Sequence, residues 1–80
     1  SYLNNTIGKI ERMVNTAKVN QAEQLAEIAL DIAEKIEDYS TARSILQFLA
    51  QQAYIRERKS EAVRYLERNH INIEAELALN

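Results

Sequence analysis

The chain contains no cysteine, no proline and no tryptophan, and Gly8 is its single glycine. Without cysteine it cannot form a disulfide framework or a thiolate zinc site. Sheets and long loops depend on glycine and proline at their turns, so the near absence of both residues favours an all-α fold. Most of the residues that fill the chain instead, such as alanine, leucine, glutamate and arginine, are good helix formers.

Long apolar runs are also missing from the sequence. A membrane-spanning helix needs about 20 consecutive apolar residues, and no stretch of the chain approaches that length. The N-terminus lacks the basic and then apolar pattern of a signal peptide. We therefore predict a cytoplasmic protein with no membrane partner.

A chain of 80 residues is long enough for one helical core and too short for two. We predict a single helical domain over residues 1–80. Because the sequence begins at Ser1 rather than methionine, we also expect a fragment of a larger protein or a small oligomerising unit.

Apolar residues recur at three- and four-residue steps in four stretches, which is the pattern of amphipathic helices. The pattern predicts helices over about Tyr2 to Thr16, Gln21 to Asp38, Thr41 to Ile55 and Ser60 to Leu79, with a break at Asn69 to Asn72 as the alternative for the last. Asn20, Ser40 or Thr41, and Ser60 are the candidate N-caps. The predicted fold is four antiparallel helices arranged as two stacked αα-hairpins. The expected shared core consists of Leu25, Ala29, Ile32, Leu46, Leu49, Ala53, Ala62 and Leu66.

The last two helices resemble a tetratricopeptide repeat. Leu46, Leu49-Ala50 and Ala53-Tyr54 occupy the places of the first-helix motif, and Ala62 and Leu66 have the spacing of the second-helix pair. The chain departs from that motif in having Leu for Trp and Ala for Gly, and no proline follows the second helix. A weaker copy of the motif precedes it, in which each residue lies the same number of positions before its counterpart. This copy is formed by Ile10, Met13, Val14, Ala17, Ala26 and Leu30. The resemblance implies one to two repeats and a role in protein–protein interaction.

Charged residues form two groups. Glu23, Glu27, Asp31, Glu34 and Asp38 follow one another along helix 2, and we interpret this acidic stripe as a solvated face, with a basic partner as the alternative. Leu30 projects near this stripe, so we expect it to be exposed or to pack on a further neighbour. Arg56, Arg58, Lys59, Arg64 and Arg68 lie on the last turn and on helix 4. We interpret this basic group as solvated surface first, as a contact for an acidic peptide second and as a nucleic-acid site last, because glutamates interrupt it and the net charge is −2.

The single histidine, His70, falls within the apolar stripe of helix 4 that Ala62, Val63, Leu66, Ile73 and Leu77 form. One imidazole without cysteine or a second histidine makes a poor metal site, so we predict a structural role for His70 and no metal. No group of residues in the sequence has the pattern of a catalytic site. We therefore predict no enzymatic activity and no cofactor.

Helix 3 is apolar on two sides, because Phe48 and Ile55 lie roughly opposite Leu49 and Ala42. One interpretation packs Phe48 and Ile55 against helix 1 or helix 2. The other makes them, with neighbouring amides and the basic group, a surface for a peptide or helix. The candidate partner-binding residues are Phe48, Gln51, Gln52, Ile55, Arg56, Arg64 and Arg68.

These patterns predict a protein–protein interaction module that binds a peptide or helix of a partner protein. Ile71, Ile73, Leu77 and Leu79 leave more apolar surface than the core of a small domain needs, so the alternative is a structural domain that self-associates as a homodimer. A regulator associated with nucleic acid is a distant alternative.

Overall fold

A computed structural model describes residues 2–15 and 18–80, without the side chains of Glu11, Met13, Val14 and Asn15. It contains four helices: α1 (Tyr2–Asn15), α2 (Val19–Lys35), α3 (Tyr39–Ile55) and α4 (Lys59–Leu79). The described residues include no strand, and the predicted all-α fold of four helices is confirmed. The prediction of one uninterrupted α4 is also confirmed. The predicted end of helix 1 at Thr16, and the motif residue Ala17, lie outside the described residues.

Three-residue turns connect α2 to α3 and α3 to α4. In the first turn the Asp38 amide donates to the Ala33 carbonyl at 2.8 Å, and the Glu37 amide donates to the Glu34 carbonyl at 3.1 Å. This pair of bonds is the Schellman motif, which satisfies the last carbonyls of a helix. The second turn repeats it, with bonds from Arg58 to Ala53 and from Glu57 to Tyr54.

The predicted caps are wrong at all three helix starts. Asp38, which was expected to end α2, is the N-cap of α3, where its carboxylate accepts hydrogen bonds from the Thr41 amide at 3.3 Å and the Thr41 hydroxyl at 2.7 Å. Neither α2 nor α4 has a side-chain cap. Because α2 begins at Val19, Asn20 lies inside its first turn and cannot cap it.

The helices form two layers. Consecutive helices pack against each other, α4 also contacts α2 through hydrogen bonds, and α1 and α3 border one groove. The helices α1 and α3 therefore lie on one side, and α2 and α4 on the other. The Cα trace measures 38 × 31 × 14 Å. Two helix axes about 8–10 Å apart, each with a Cα radius of about 2.3 Å, fill the short dimension.

The core between the layers is made largely of alanine. The buried apolar residues are Leu3, Ile10, Ala22, Ala26, Ala29, Leu30, Ala33, Ala42, Ile45, Leu46, Leu49, Ala50, Ala53 and Ala62. Small side chains let helix backbones approach closely, and three leucines, Leu30, Leu46 and Leu49, supply the bulk.

Most of the expected core is confirmed, and two expectations fail. Ala29, Leu46, Leu49, Ala53 and Ala62 are buried, and Leu25 and Ile32 are half-buried against them. Leu66 was expected in the core but is 56% exposed. Leu30 was expected near the acidic edge of α2, but it is fully buried.

The rotation of α4 is the largest departure from the prediction. Its predicted inward stripe was Ala62, Val63, Leu66, His70, Ile73 and Leu77, and only Ala62 of this set is buried. The side of α4 that faces the domain instead presents Asn72, which is 1% exposed, and the half-buried Tyr65 and Arg68. The physical reason is a set of polar contacts between α4 and α2, described below.

Glycine at either turn should stabilise the fold. Glu37 and Glu57 both have φ of 61°, a left-handed conformation that costs a residue with a Cβ roughly 1–2 kcal/mol. Part of the gain is lost because glycine has more freedom in the unfolded chain. We therefore expect Glu37→Gly and Glu57→Gly each to raise the free energy of unfolding by about 0.5–1 kcal/mol in a urea titration.

A helix-interior glycine is the matched control for this measurement. Gln24 is exposed in the middle of α2, and Gln24→Gly should lower the free energy of unfolding by about 1 kcal/mol. If the turn variants lose stability as the control does, the turns do not hold the two glutamates in the left-handed region.

Candidate functional site: a groove between α1 and α3

A groove with a volume of about 320 Å³ lies between α1 and α3, above α2. Ile7 and Ile10 of α1 form one wall, and Ala26 of α2 forms part of the floor. The other wall belongs to α3 and consists of Ser44, Ile45, Gln47, Phe48 and Gln51. Ser44 and Phe48 are four residues apart, as are Gln47 and Gln51, and Ile45 and Phe48 are three apart, which places these α3 residues on adjoining faces of one helix.

The chemistry of the groove is apolar inside and polar but uncharged at the edge. Ile10, Ala26 and Ile45 are buried, and Ile7 and Phe48 are half-buried against the same core. Ser44, Gln47 and Gln51 are exposed and offer hydroxyl and amide groups, which both donate and accept hydrogen bonds. The described lining residues include no acidic or basic side chain.

Two of the seven predicted partner-binding residues lie in the groove. Phe48 and Gln51 line the groove. Ile55 is 63% exposed and, like the half-buried Gln52, is not part of the groove lining. The packing interpretation therefore holds for Phe48, which packs against the core, and not for the exposed Ile55. The binding-surface interpretation stays a prediction.

Two of the three predicted basic residues bind α2 within the chain. Arg56 donates to the Asn20 side chain at 3.0 Å and lies 2.8 Å from a carboxylate oxygen of Glu23. The first contact is an aligned hydrogen bond, and the second is an ion pair by distance alone, since that oxygen has no aligned donor. Arg64 is exposed and has no ion pair within the described part of the chain.

Arg68 makes the strongest contact between α4 and α2. Its Nε donates to Glu34 Oε2 at 3.0 Å and its Nη2 to Asp31 Oδ1 at 2.9 Å. Asn72 donates to the same Glu34 oxygen at 2.6 Å. The Arg68 guanidinium, and to a smaller extent the Asn72 amide, hold the pKa of Glu34 below its ordinary value, against the opposing effect of burial. The same hydrogen bond, which Arg68 donates to Glu34, raises the pKa of Arg68.

Tyr65 adds a second contact one turn earlier on α4. Its hydroxyl donates to Glu27 Oε1 at 2.7 Å. Burial raises the pKa of Tyr65, and the hydrogen bond to the Glu27 carboxylate raises it further. The hydroxyl thus stays protonated and remains a donor.

These contacts correct the interpretation of the acidic stripe. The solvated-face interpretation is wrong for Glu23 and Glu34, which are half-buried and bind the arginines of the α3–α4 turn and of α4. Helix periodicity placed the acids on one face correctly, but it could not show that α4 would cover that face.

His70 lies on the exposed side of α4, where its Nε2 is 2.6 Å from Glu74 Oε1. The described residues contain no group of three or more histidine, aspartate or glutamate side chains arranged to hold a metal ion. Nor is any helix in the described ranges long and apolar enough to cross a membrane.

Sequence reasoning missed the α1 side of the groove, its Ala26 floor, and Ile45 and Gln47 of α3. It did place Phe48 and Gln51 on one mixed apolar and amide side of α3. Gln47 lies four residues before Gln51 and could have been assigned to that side from the same spacing. The facing residues Ile7 and Ile10 belong to the predicted seam of helix 1. Nothing in the sequence indicates that these α1 residues are too far from α3 to pack against it, so that a groove is left between the two helices.

The Glu34 contact predicts an acid-sensitive fold. Because the folded pKa of Glu34 is lower than its unfolded value of about 4.5, its contribution to stability is present above pH 4.5 and is lost as the pH falls through the folded pKa. At neutral pH, Glu34→Gln should cost about 1 kcal/mol of unfolding free energy, a charge-assisted hydrogen bond discounted for partial exposure. In urea titrations below pH 4.5, the difference in unfolding free energy between wild type and Glu34→Gln should become smaller.

Glu57→Gln is the control, since Glu57 is exposed. It should leave the unfolding free energy unchanged at neutral pH. Equal stability of wild type and Glu34→Gln at neutral pH would show that the α2–α4 contact contributes nothing to the fold.

No protein-family model, curated protein or solved structure matches this chain. The tetratricopeptide resemblance therefore stays a prediction carried by the residues quoted for it, and the function is argued from the groove and the surfaces around it.

Proposed function

We propose that this domain is a protein–protein interaction module that binds a peptide or helix of a partner protein in the groove between α1 and α3. One observation carries the proposal. Phe48 packs against the core and also lines an open groove whose described edge residues are polar and uncharged. A half-buried aromatic anchor with hydrogen-bonding groups around it is a common feature of peptide-binding sites.

The shape of the groove suits an extended or helical segment. Pockets for small molecules have volumes of about 300–1,000 Å³ and enclose most of the ligand. At about 320 Å³ and with an open side, this groove has room for one or two apolar side chains of a longer chain. An amphipathic helix presents such side chains at three- and four-residue steps.

The charge of the groove lining indicates which side chains a bound partner segment carries. A buried charge without a partner loses its hydration and gains nothing in return. Because the described lining carries no ionised group, the anchoring side chains of the segment should be apolar, with neutral groups beside them. The basic group is a weaker candidate, since Arg56, Arg58 and Arg68 already bind α2 carboxylates.

The tetratricopeptide resemblance agrees with this proposal. Repeats of that kind stack helical hairpins and use the concave surface along the stack for binding.

A cytoplasmic location also stays a prediction, which rests on the absence of cysteine and of a signal pattern.

A displayed peptide library tests the proposal. Peptides selected for binding to the wild-type domain should carry bulky apolar residues at helical spacing, and they should shift the amide resonances of Ile45 and Phe48. The double variant Ser44→Arg, Gln51→Arg places two charges on exposed positions at the groove edge, and it should weaken binding at least about tenfold, or 1.4 kcal/mol.

The matched control adds the same two charges to α2. Gln21→Arg, Gln24→Arg alters exposed positions outside the groove lining and should leave binding unchanged. Thermal melts by circular dichroism confirm that both double variants fold. Selected peptides that bind the groove variant as well as the wild type would reject the groove as the site.

A further inference from the structure

An apolar seam runs along the solvent side of α4, away from the groove. We use the name α4 seam for Val63, Leu66, His70, Ile73 and Leu77. Its aliphatic members are between 37% and 69% exposed, and the side chain of His70 is 72% exposed. Single exposed aliphatic residues are ordinary, but a continuous row on one helix marks an interaction surface.

The spacing of the α4 seam identifies the kind of secondary structure that packs against it. Its residues follow one another at steps of three, four, three and four, which is the repeat of the a and d positions of a heptad. Such a row is the surface against which another α-helix packs. From Val63 to Leu77 the seam extends about 21 Å at about 1.5 Å per residue, the length of about two heptads.

The charges beside the α4 seam identify the chemistry of that helix. Glu67 and Glu74 are exposed and lie one heptad apart along one edge. The other edge, formed by Ala62, Asn69 and Glu76, faces α3, and there Glu76 is paired with Arg43 at 2.8 Å. The accessible edge of the seam is therefore acidic.

A second copy of this chain is a poor match for that edge. In an antiparallel pair of α4 helices, the glutamate edges of the two copies would face each other and repel. In a parallel pair, Glu67 and Glu74 would face Ala62 and Asn69 of the other copy and gain no opposite charge. A helix with lysine or arginine beside its own apolar row gains an attraction at both positions.

We infer that the α4 seam binds an amphipathic helix of a different protein, one that carries lysine or arginine next to its apolar row. This surface is independent of the proposed function, because the groove belongs to α1, α2 and α3. It gives the domain a second binding site with a different chemistry, since the groove residues that the structure describes are uncharged and the seam is edged by carboxylates.

Two synthetic peptides of about three heptads each test the inference. Both carry isoleucine and leucine at the a and d positions. One has lysine and the other glutamate at the flanking e and g positions, so like charges keep each peptide from pairing with itself. The lysine peptide should bind at least about tenfold more tightly than the glutamate peptide in isothermal titration, and its binding should weaken as salt is raised.

Charge reversal on α4 should invert that preference. Glu67→Lys, Glu74→Lys should bind the glutamate peptide more tightly than the lysine peptide. The control Glu37→Lys, Glu57→Lys makes the same change in net charge at exposed positions in the two turns and should keep the wild-type preference. Leu66→Ser, Leu77→Ser should abolish binding of the lysine peptide without lowering the helical content, because both residues are exposed.

Several results would overturn the inference. Equal binding of both peptides, no binding of either, or an unchanged preference after charge reversal would each do so. Sedimentation equilibrium of the domain alone tests whether a second copy of the chain binds the seam instead. A dimer that is lost in the variant Leu66→Ser, Leu77→Ser would show that a second copy covers the seam. None of these results bears on the groove, whose test uses Ser44 and Gln51.

Discussion

The Glu34 carboxylate determines how α4 lies on the rest of the domain. It accepts hydrogen bonds from both Arg68 and Asn72, and Asp31 and Glu27 add contacts to Arg68 and Tyr65 along the same side of α2. If α4 were rotated to bury its apolar row, these carboxylates would face aliphatic side chains. Burying a charge without a partner costs more than the burial of a few aliphatic side chains returns.

Alanines make this polar contact possible. Ala42, Ala50 and Ala53 of α3 and Ala62 of α4 are buried, and small side chains at buried positions let helix backbones approach closely. The long side chains of Arg68 and Tyr65 then reach across to α2. The apolar row of α4 is left outside, and the domain has two separate apolar surfaces, the groove and the α4 seam.

Helix number and most of the buried residues could be predicted from the sequence, because apolar periodicity reports directly on helical faces. The orientation of α4 could not. A periodic pattern treats Arg68, Tyr65 and Asn72 as polar and assigns them to solvent, whereas their partners on α2 are 34 to 38 residues away in the sequence. The same limit explains Leu30, which lies beside acids in sequence but is fully buried. Of the groove residues, Phe48 and Gln51 were predicted from the sequence. The α1 wall was not, because it depends on the distance between α1 and α3, which no local pattern describes.

The orientation of α4 can be measured directly with single cysteines, because the chain has none of its own. Leu66→Cys and Ala62→Cys place a thiol about one turn apart on α4, the first at an exposed position and the second at a buried one. The rate of reaction with a thiol reagent in native buffer, relative to the rate in urea, reports the protection of each site. The structure predicts that Cys at position 66 reacts nearly as fast as in the unfolded chain, while Cys at position 62 is strongly protected. Strong protection at both positions would show that the apolar row of α4 faces inward, and it would contradict the orientation on which the α4 seam depends.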